Sequence, residues 1–212
     1  MLNHFRNAFY AVVLIGFSSA HGSSYVDFFR SVNVDDAGTV KSLLARGFDP
    51  NTADESGQVA LYVALRSEST KVVAVLIDHP GLKVDASNAA DETPLMMAAL
   101  RGQLDSTQKL LARGATVNRG GWTPLHYAAS GPESKVVALL LERGAAVDAP
   151  SPNRTTALMM ASRYGNDDSV KLLRARGADL RARNDVGLNA ADFARLGGRD
   201  KLAQELEAAA RQ

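Results

Sequence analysis

Enzymatic chemistry needs polar groups that converge, and this chain offers few that could. It has four histidines and no cysteine, which excludes thiolate metal sites, iron-sulfur clusters, disulfides and cysteine nucleophiles. No phosphate-cradling glycine loop ends in lysine, no His-Glu-x-x-His helix occurs, and no nucleophile elbow occurs beyond the N-terminal apolar stretch. Asp167 and Asp168 are the strongest carboxylate pair. Adjacent acids project in different directions, and these two fall at a turn between helices, so a solvated helix start is expected. His21 would be able to chelate copper if it became the first residue of a processed chain, yet no second histidine lies near it. The expectation is therefore a protein without catalytic residues, cofactor or metal, the alternative being an enzyme whose site is not recognisable from sequence.

Composition narrows the remaining classes. The 212 residues carry 46% apolar and 22% charged side chains with a net charge of +1, an ordinary soluble balance that excludes global disorder. Near-neutrality excludes a dedicated nucleic-acid binder, which needs clustered basic groups for counterion release. One stretch stands apart. Met1 to Asn7 contains Arg6, Phe9 to Phe17 is apolar apart from Gly16, and Ser18-Ser19-Ala20 follows with small side chains. This is the three-part pattern of a secretory signal peptide over residues 1–20, with cleavage after Ala20 or after Gly22. A spanning helix needs about 20 apolar residues, so an uncleaved anchor is the weaker alternative, and a buried amphipathic extension weaker still. The expected location is periplasmic or secreted, with no membrane attachment after cleavage.

The rest of the chain repeats itself. Asp91-Glu92-Thr93-Pro94-Leu95-Met96-Met97-Ala98-Ala99 returns as Gly121-Trp122-Thr123-Pro124-Leu125-His126-Tyr127-Ala128-Ala129 and as Arg154-Thr155-Thr156-Ala157-Leu158-Met159-Met160-Ala161-Ser162. Looser copies start at Gly57 and Gly187. The anchors Leu61, Leu95, Leu125, Leu158 and Ala191 are 34, 30, 33 and 33 residues apart. A second block keeps the same phase: Leu43-Leu44-Ala45-Arg46-Gly47, Leu110-Leu111-Ala112-Arg113-Gly114, Leu140-Leu141-Glu142-Arg143-Gly144 and Leu172-Leu173-Arg174-Ala175-Arg176-Gly177. A fixed period near 33 is the mark of a stacked solenoid.

These two blocks closely resemble the ankyrin repeat, a Thr-Pro-Leu-His-x-Ala-Ala helix start followed by Val-x-x-Leu-Leu-x-x-Gly-Ala. The resemblance implies an all-α solenoid of helix-turn-helix units joined by short β-hairpin-like loops. His126 alone keeps the family's histidine, whose ring bonds neighbouring backbone, while Tyr62, Met96, Met159 and Asp192 replace it. Each unit makes physical sense. Pro94 and Pro124 suit a first helical turn, where a missing N–H costs nothing. Gly114, Gly144 and Gly177 suit the left-handed residue that ends the second helix, and Arg46, Arg113, Arg143 and Arg176 place a cation at the negative end of its dipole.

Six units follow, over 24–54, 55–88, 89–118, 119–150, 151–184 and 185–212, with the first and last as caps. Phe28, Phe29, Val32, Val40, Leu43 and Leu44 supply the first cap's apolar face, and Leu202 and Leu206 supply that of the last. Two irregularities break the period. An extra residue in Asp78-His79-Pro80-Gly81 displaces the helix-ending glycine. Three residues are missing between Asn118 and Trp122, which predicts a tight turn at Arg119-Gly120-Gly121.

The resemblance also implies a concave partner-binding face built from loop tips and first-helix ends. By alignment that face carries Arg66 in the second unit, Arg101 in the third, Arg119 and Trp122 in the fourth, and Arg163 and Tyr164 in the fifth. Aromatic anchors beside arginine are the usual makings of a binding hot spot; Trp122 either serves as such an anchor or fills the space beside its shortened loop. Charge is graded along the chain, with six basic and eleven acidic residues over 24–100, six and four over 101–153, and eleven and eight over 154–212. Asn153-Arg154-Thr155 matches a glycosylation acceptor relevant only to a eukaryotic secretory pathway. The expected function is a monomeric, non-enzymatic protein-binding module in a bacterial periplasm or outside the cell. Exported members of the family suggest two roles, support of a haem enzyme of peroxide defence or neutralisation of a toxin.

Overall fold

The computed structural model describes residues 19–212, so the proposed leader and the His21 side chain lie outside what can be described. Twelve helices follow one another in six pairs among the described residues: α1 (Ser19–Asn33) with α2 (Ala37–Ala45), α3 (Ala60–Arg66) with α4 (Thr70–Asp78), α5 (Pro94–Leu100) with α6 (Leu104–Ala112), α7 (Pro124–Ser130) with α8 (Ser134–Glu142), α9 (Ala157–Tyr164) with α10 (Asp167–Ala175), and α11 (Ala190–Leu196) with α12 (Asp200–Ala210). First helices stack in chain order to form one layer and second helices form the other. The solenoid architecture is as the repeats imply.

Local chemistry explains the ends of these helices. Thr93 and Thr156 accept the Met96 and Met159 N–H groups, and Asn166 accepts that of Ser169 at 2.8 Å, each satisfying a donor that the helix leaves open. At the other end, Gly47, Gly114, Gly144 and Gly177 sit at φ of 83 to 90°, and the residue after each donates back to the leucine carbonyl five positions earlier, as in Ala115 to Leu110 at 3.0 Å. That is the Schellman closure. Helix α4 departs from it because the displaced Gly81 is not left-handed. There Arg113 from the next unit supplies the donors, bonding the Ile77 carbonyl and, at 3.2 Å, that of His79.

Alanines decide the curvature. Ala64, Ala98, Ala128, Ala129, Ala161 and Ala194 are fully buried or nearly so between successive first helices, and their small side chains let these helices approach more closely than the second helices do. A Cβ at Gly165 would overlap the Ala129 carbonyl oxygen. Tight inner packing and looser outer packing bend the stack, with first helices on the inside. One continuous apolar core runs from Phe28 to Leu206. The first cap closes it with an aromatic cluster in which Phe28 meets Phe29 edge-on at 5.4 Å and Phe48 at 4.4 Å. The described chain is already helical at Ser19, upstream of the expected unit start at residue 24, and Phe28 is the first buried side chain described.

Candidate binding groove

The inner face is completed by the loops that precede each first helix. In four of them the chain closes on itself in the same way: Asp54, Asn88, Ser151 and Asn184 each donate from backbone to the carbonyl four residues on, at 2.8 to 3.1 Å, and their side chains accept from that same residue's N–H. These are the hairpin-like fingers, although the only β-bridge assigned among the described residues is Ala53 to Val59. The shortened fourth finger differs from expectation. The segment around Gly120 to Trp122 bends, with Gly121 at φ +79°, but lacks the closing backbone bonds of the other four. With three residues fewer there is no room for the loop. The bond from one unit to the next is kept: Asn118 donates to the Gly144 carbonyl at 2.7 Å and accepts from Ala146 at 2.9 Å, as Asn51 does with Gly81 and Lys83.

Trp122 and Tyr164 face the same hollow. It is lined by Leu100, Trp122, His126, Tyr127, Ser130, Met160 and Tyr164 and holds about 240 Å³. Trp122 is half-buried with its ring edge-on to His126, centroids 5.2 Å apart. It thus packs against His126 and also lines the hollow. Tyr164 is 55% exposed, and the Arg163 guanidinium lies over its ring at 4.9 Å, a cation-π arrangement. The other expected arginines are held within the chain: Arg66 by Gln58, Arg101 by Glu68 and Arg119 by Asp91. All three are intramolecular clamps along the rim.

A carboxylate whose role the repeat pattern conceals lies next to this hollow. Glu92, in the third unit, accepts from Tyr62 of the second at 2.6 Å, from Tyr127 of the fourth at 2.9 Å, and from Asn88 in its own finger at 2.9 Å. Burial would raise its pKa, but the three donors outweigh it and hold the carboxyl below its ordinary value. The same contact works in reverse on the phenols: burial first, then the bond to Glu92, pushes Tyr62 and Tyr127 well up. Only the observation that Tyr62 and Tyr127 each lie on a helix start one unit away from Glu92 could have signalled this.

His126 is 1% exposed. Its Nδ1 accepts the Thr123 backbone N–H at 3.2 Å and its Nε2 donates to the Thr155 carbonyl at 2.9 Å, joining the fourth unit to the fifth. Burial lowers its pKa, with the bonds to backbone carbonyls opposing. The replacements at this position keep part of that pattern. Met96 and Met159 sulfurs accept the Thr93 and Thr156 N–H groups at 3.4 and 3.5 Å, and Asp192 accepts that of Asn189 at 3.0 Å. Asp167 and Asp168 form the solvated start of α10 that the sequence suggests, Asp167 bonding Arg199 and Asp168 bonding Lys171 at 3.1 Å. The His126 nitrogens and the Tyr127 hydroxyl beside the hollow are thus engaged with neighbours, and no group of three or more metal-ligating side chains occurs among the described residues.

Comparison with known proteins agrees with this architecture. A family model described as ankyrin repeats matches residues 29–120 and 116–184, and the chain belongs to the ankyrin-repeat family. A putative ankyrin repeat protein of Rickettsia felis is 32% identical over 166 residues, covering 73% of this chain and 70% of that protein. The p105 subunit of nuclear factor NF-kappa-B from Gallus gallus is 30% identical over 70% of this chain, which spans only 16% of the subunit; this chain spans 10% of a transient receptor potential channel homologue from Caenorhabditis elegans. Among solved structures, a chain of the complex between a predatory endopeptidase of Bdellovibrio bacteriovorus and its immunity protein superposes with a TM-score of 0.73 at 25% identity, over 86% of this chain and 97% of that one. Ankyrin repeats indicate a protein-protein interaction module in this chain, and no helix among the described residues is long and apolar enough to cross a membrane.

Proposed function

We propose that the protein is a non-enzymatic, exported inhibitor-type module that occupies a partner enzyme with its concave groove. The observation that carries this is the hollow walled by Trp122, Tyr127 and Tyr164 on the inner face of an ankyrin stack. Aromatic side chains in a concave, partly desolvated position are the usual centre of a binding surface. Trp122, Tyr164 and Arg163 form the centre of the proposed contact, with Arg66, Arg101 and Arg119 along its rim. Likeness to a chain from an endopeptidase–immunity protein complex favours toxin neutralisation over support of a haem enzyme. Residues 1–20 are proposed to direct export and then be removed, so that a monomer acts in the periplasm or outside the cell.

Photo-crosslinking in the producing cell tests the groove. A benzophenone side chain placed at the exposed finger positions Glu55, Ala89 or Asn153 should capture one discrete protein, whereas the same group at Lys109 or Lys135 on the outer helices should not. Equal capture from both faces, or capture from the outer helices alone, would overturn the groove as the contact surface.

A further inference from the structure

The hollow has a cause in the sequence of one unit. Aligned first-helix ends read Arg66-Ser67, Leu100-Arg101, Ser130-Gly131, Arg163-Tyr164 and Leu196-Gly197. Of these pairs only Ser130-Gly131 combines two small residues, and the missing side chains leave the space that Leu100, Met160 and Tyr164 enclose from the flanking units. At about 240 Å³ it falls below the roughly 300–1,000 Å³ of sites for drug-sized ligands. It is sized for a single large side chain. Its walls are mostly apolar or aromatic; of its two phenols, Tyr127 spends its hydroxyl on Glu92, and Tyr164 forms the largely exposed wall.

The rim differs from the walls. Arg163 has no carboxylate partner among the described residues, although Arg101 and Arg119 nearby both do. The Trp122 indole N–H likewise donates to no described group. An Arg163 guanidinium over the Tyr164 wall without a carboxylate partner among the described residues, and an indole N–H without an acceptor on the Trp122 wall, suit a neighbouring carboxylate, and the guanidinium repels a cation, which argues against use of the three aromatic rings as a cage for a lysine. Large apolar side chains exposed in the C-terminal half, Tyr164, Val186 and Leu196, also lie on the inner helices or fingers, extending the same surface.

We infer that this hollow is a socket for one leucine- or phenylalanine-sized side chain on a protruding loop of the partner protein, with an aspartate or glutamate beside it on Arg163 and Trp122. The inference rests on the groove reading above and adds the chemistry of the occupant.

Short peptides test it on the intact protein. Titration with N-acetyl-Glu-Phe-amide, followed by the NMR signals of the Met160 methyl and the Trp122 indole N–H, should give saturable shifts. N-acetyl-Lys-Phe-amide should bind about fivefold more weakly, the effect of one partly exposed charge contact, and N-acetyl-Glu-Ala-amide should not saturate. Ser130→Leu should fill the socket and abolish the shifts, and Arg163→Gln should remove the preference for glutamate over lysine. Because Ser130→Leu can disturb the fold, Tyr164→Ala, which removes a largely exposed wall, provides a second variant that should weaken Glu-Phe binding. Preference for the lysine peptide, equal binding of the alanine peptide, or shifts unaltered in a folded Ser130→Leu or Tyr164→Ala protein would each overturn the socket. Should the peptides fail while crosslinks still form from the fingers alone, the socket falls and the groove stands.

Discussion

His126 shows how much one side chain can carry when both its nitrogens are committed. The ring accepts from Thr123 and donates to Thr155, so a second proton would set a donor against the Thr123 N–H in a buried site. Its pKa in the folded protein is lowered from the ordinary 6.5, which fixes the sign of the pH dependence. The unfolded chain binds the proton first, so the stability tied to neutral His126 is complete above pH 6.5 and declines as the pH falls below it toward the folded value. Urea midpoints should therefore drop between pH 7.5 and 5.5. His126→Leu should cost roughly 2–4 kcal/mol at neutral pH by stranding two buried backbone groups, and its midpoint should be flat over that range. An equally pH-dependent variant would show that another group titrates.

At the scale of the element, each helix must hand its last carbonyls to some donor. Left-handed glycines do this after α2, α6, α8 and α10. Helix α4 relies on Arg113, and the end of α9 relies on Arg199, which donates to Ala161, Ser162 and Gly165 carbonyls at 2.8 to 3.0 Å and also bonds Asp167. Arg143 occupies the same repeat position as Arg113 and, like it, precedes a left-handed glycine, but among the described residues only the Arg113 side chain, of these two, reaches back to the carbonyls of the preceding unit. The four pre-glycine arginines are thus alike in sequence and unlike in work. Arg113→Ala and Arg199→Ala are each expected to cost about 1–3 kcal/mol, as losses of charge-assisted bonds to carbonyls. Arg143→Ala should stay within about 0.5 kcal/mol. Denaturant unfolding of the three variants checks this, and a uniform loss would mean that the dipole interaction common to all of them is what matters.

For the whole molecule, stability follows from stacking, because no pair of helices covers its own apolar face. Leu125 is 1% exposed at the centre of the stack, and Leu125→Ala should destabilise by roughly 2–5 kcal/mol. Interface coupling adds a spatial signature: amide exchange should quicken in α5 and α9 as well as in α7, whereas the distant α1 should be little affected. Loss confined to α7 would contradict a shared core. The Tyr62, Glu92 and Tyr127 bonds span three units, and they tie the inner face together where the groove is proposed.

Sequence alone determined the solenoid, its two breaks in period and the stretch of residues where a partner would be sought. Periodicity suffices for that, because each unit folds by local rules and touches only its neighbours. It also marked Trp122 and Tyr164 as positions on one face. What it could not decide were relations between units. The hollow needs small Ser130 and Gly131 from one unit, Leu100 from the one before and Met160 and Tyr164 from the one after, and the use of Glu92 and Arg199 likewise depends on residues 30 to 38 positions away. Such contacts arise from the rise and curvature of the stack, set by how closely the buried alanines let adjacent helices approach. A repeat pattern specifies which residues share a face, and only the tertiary structure specifies which of them meet.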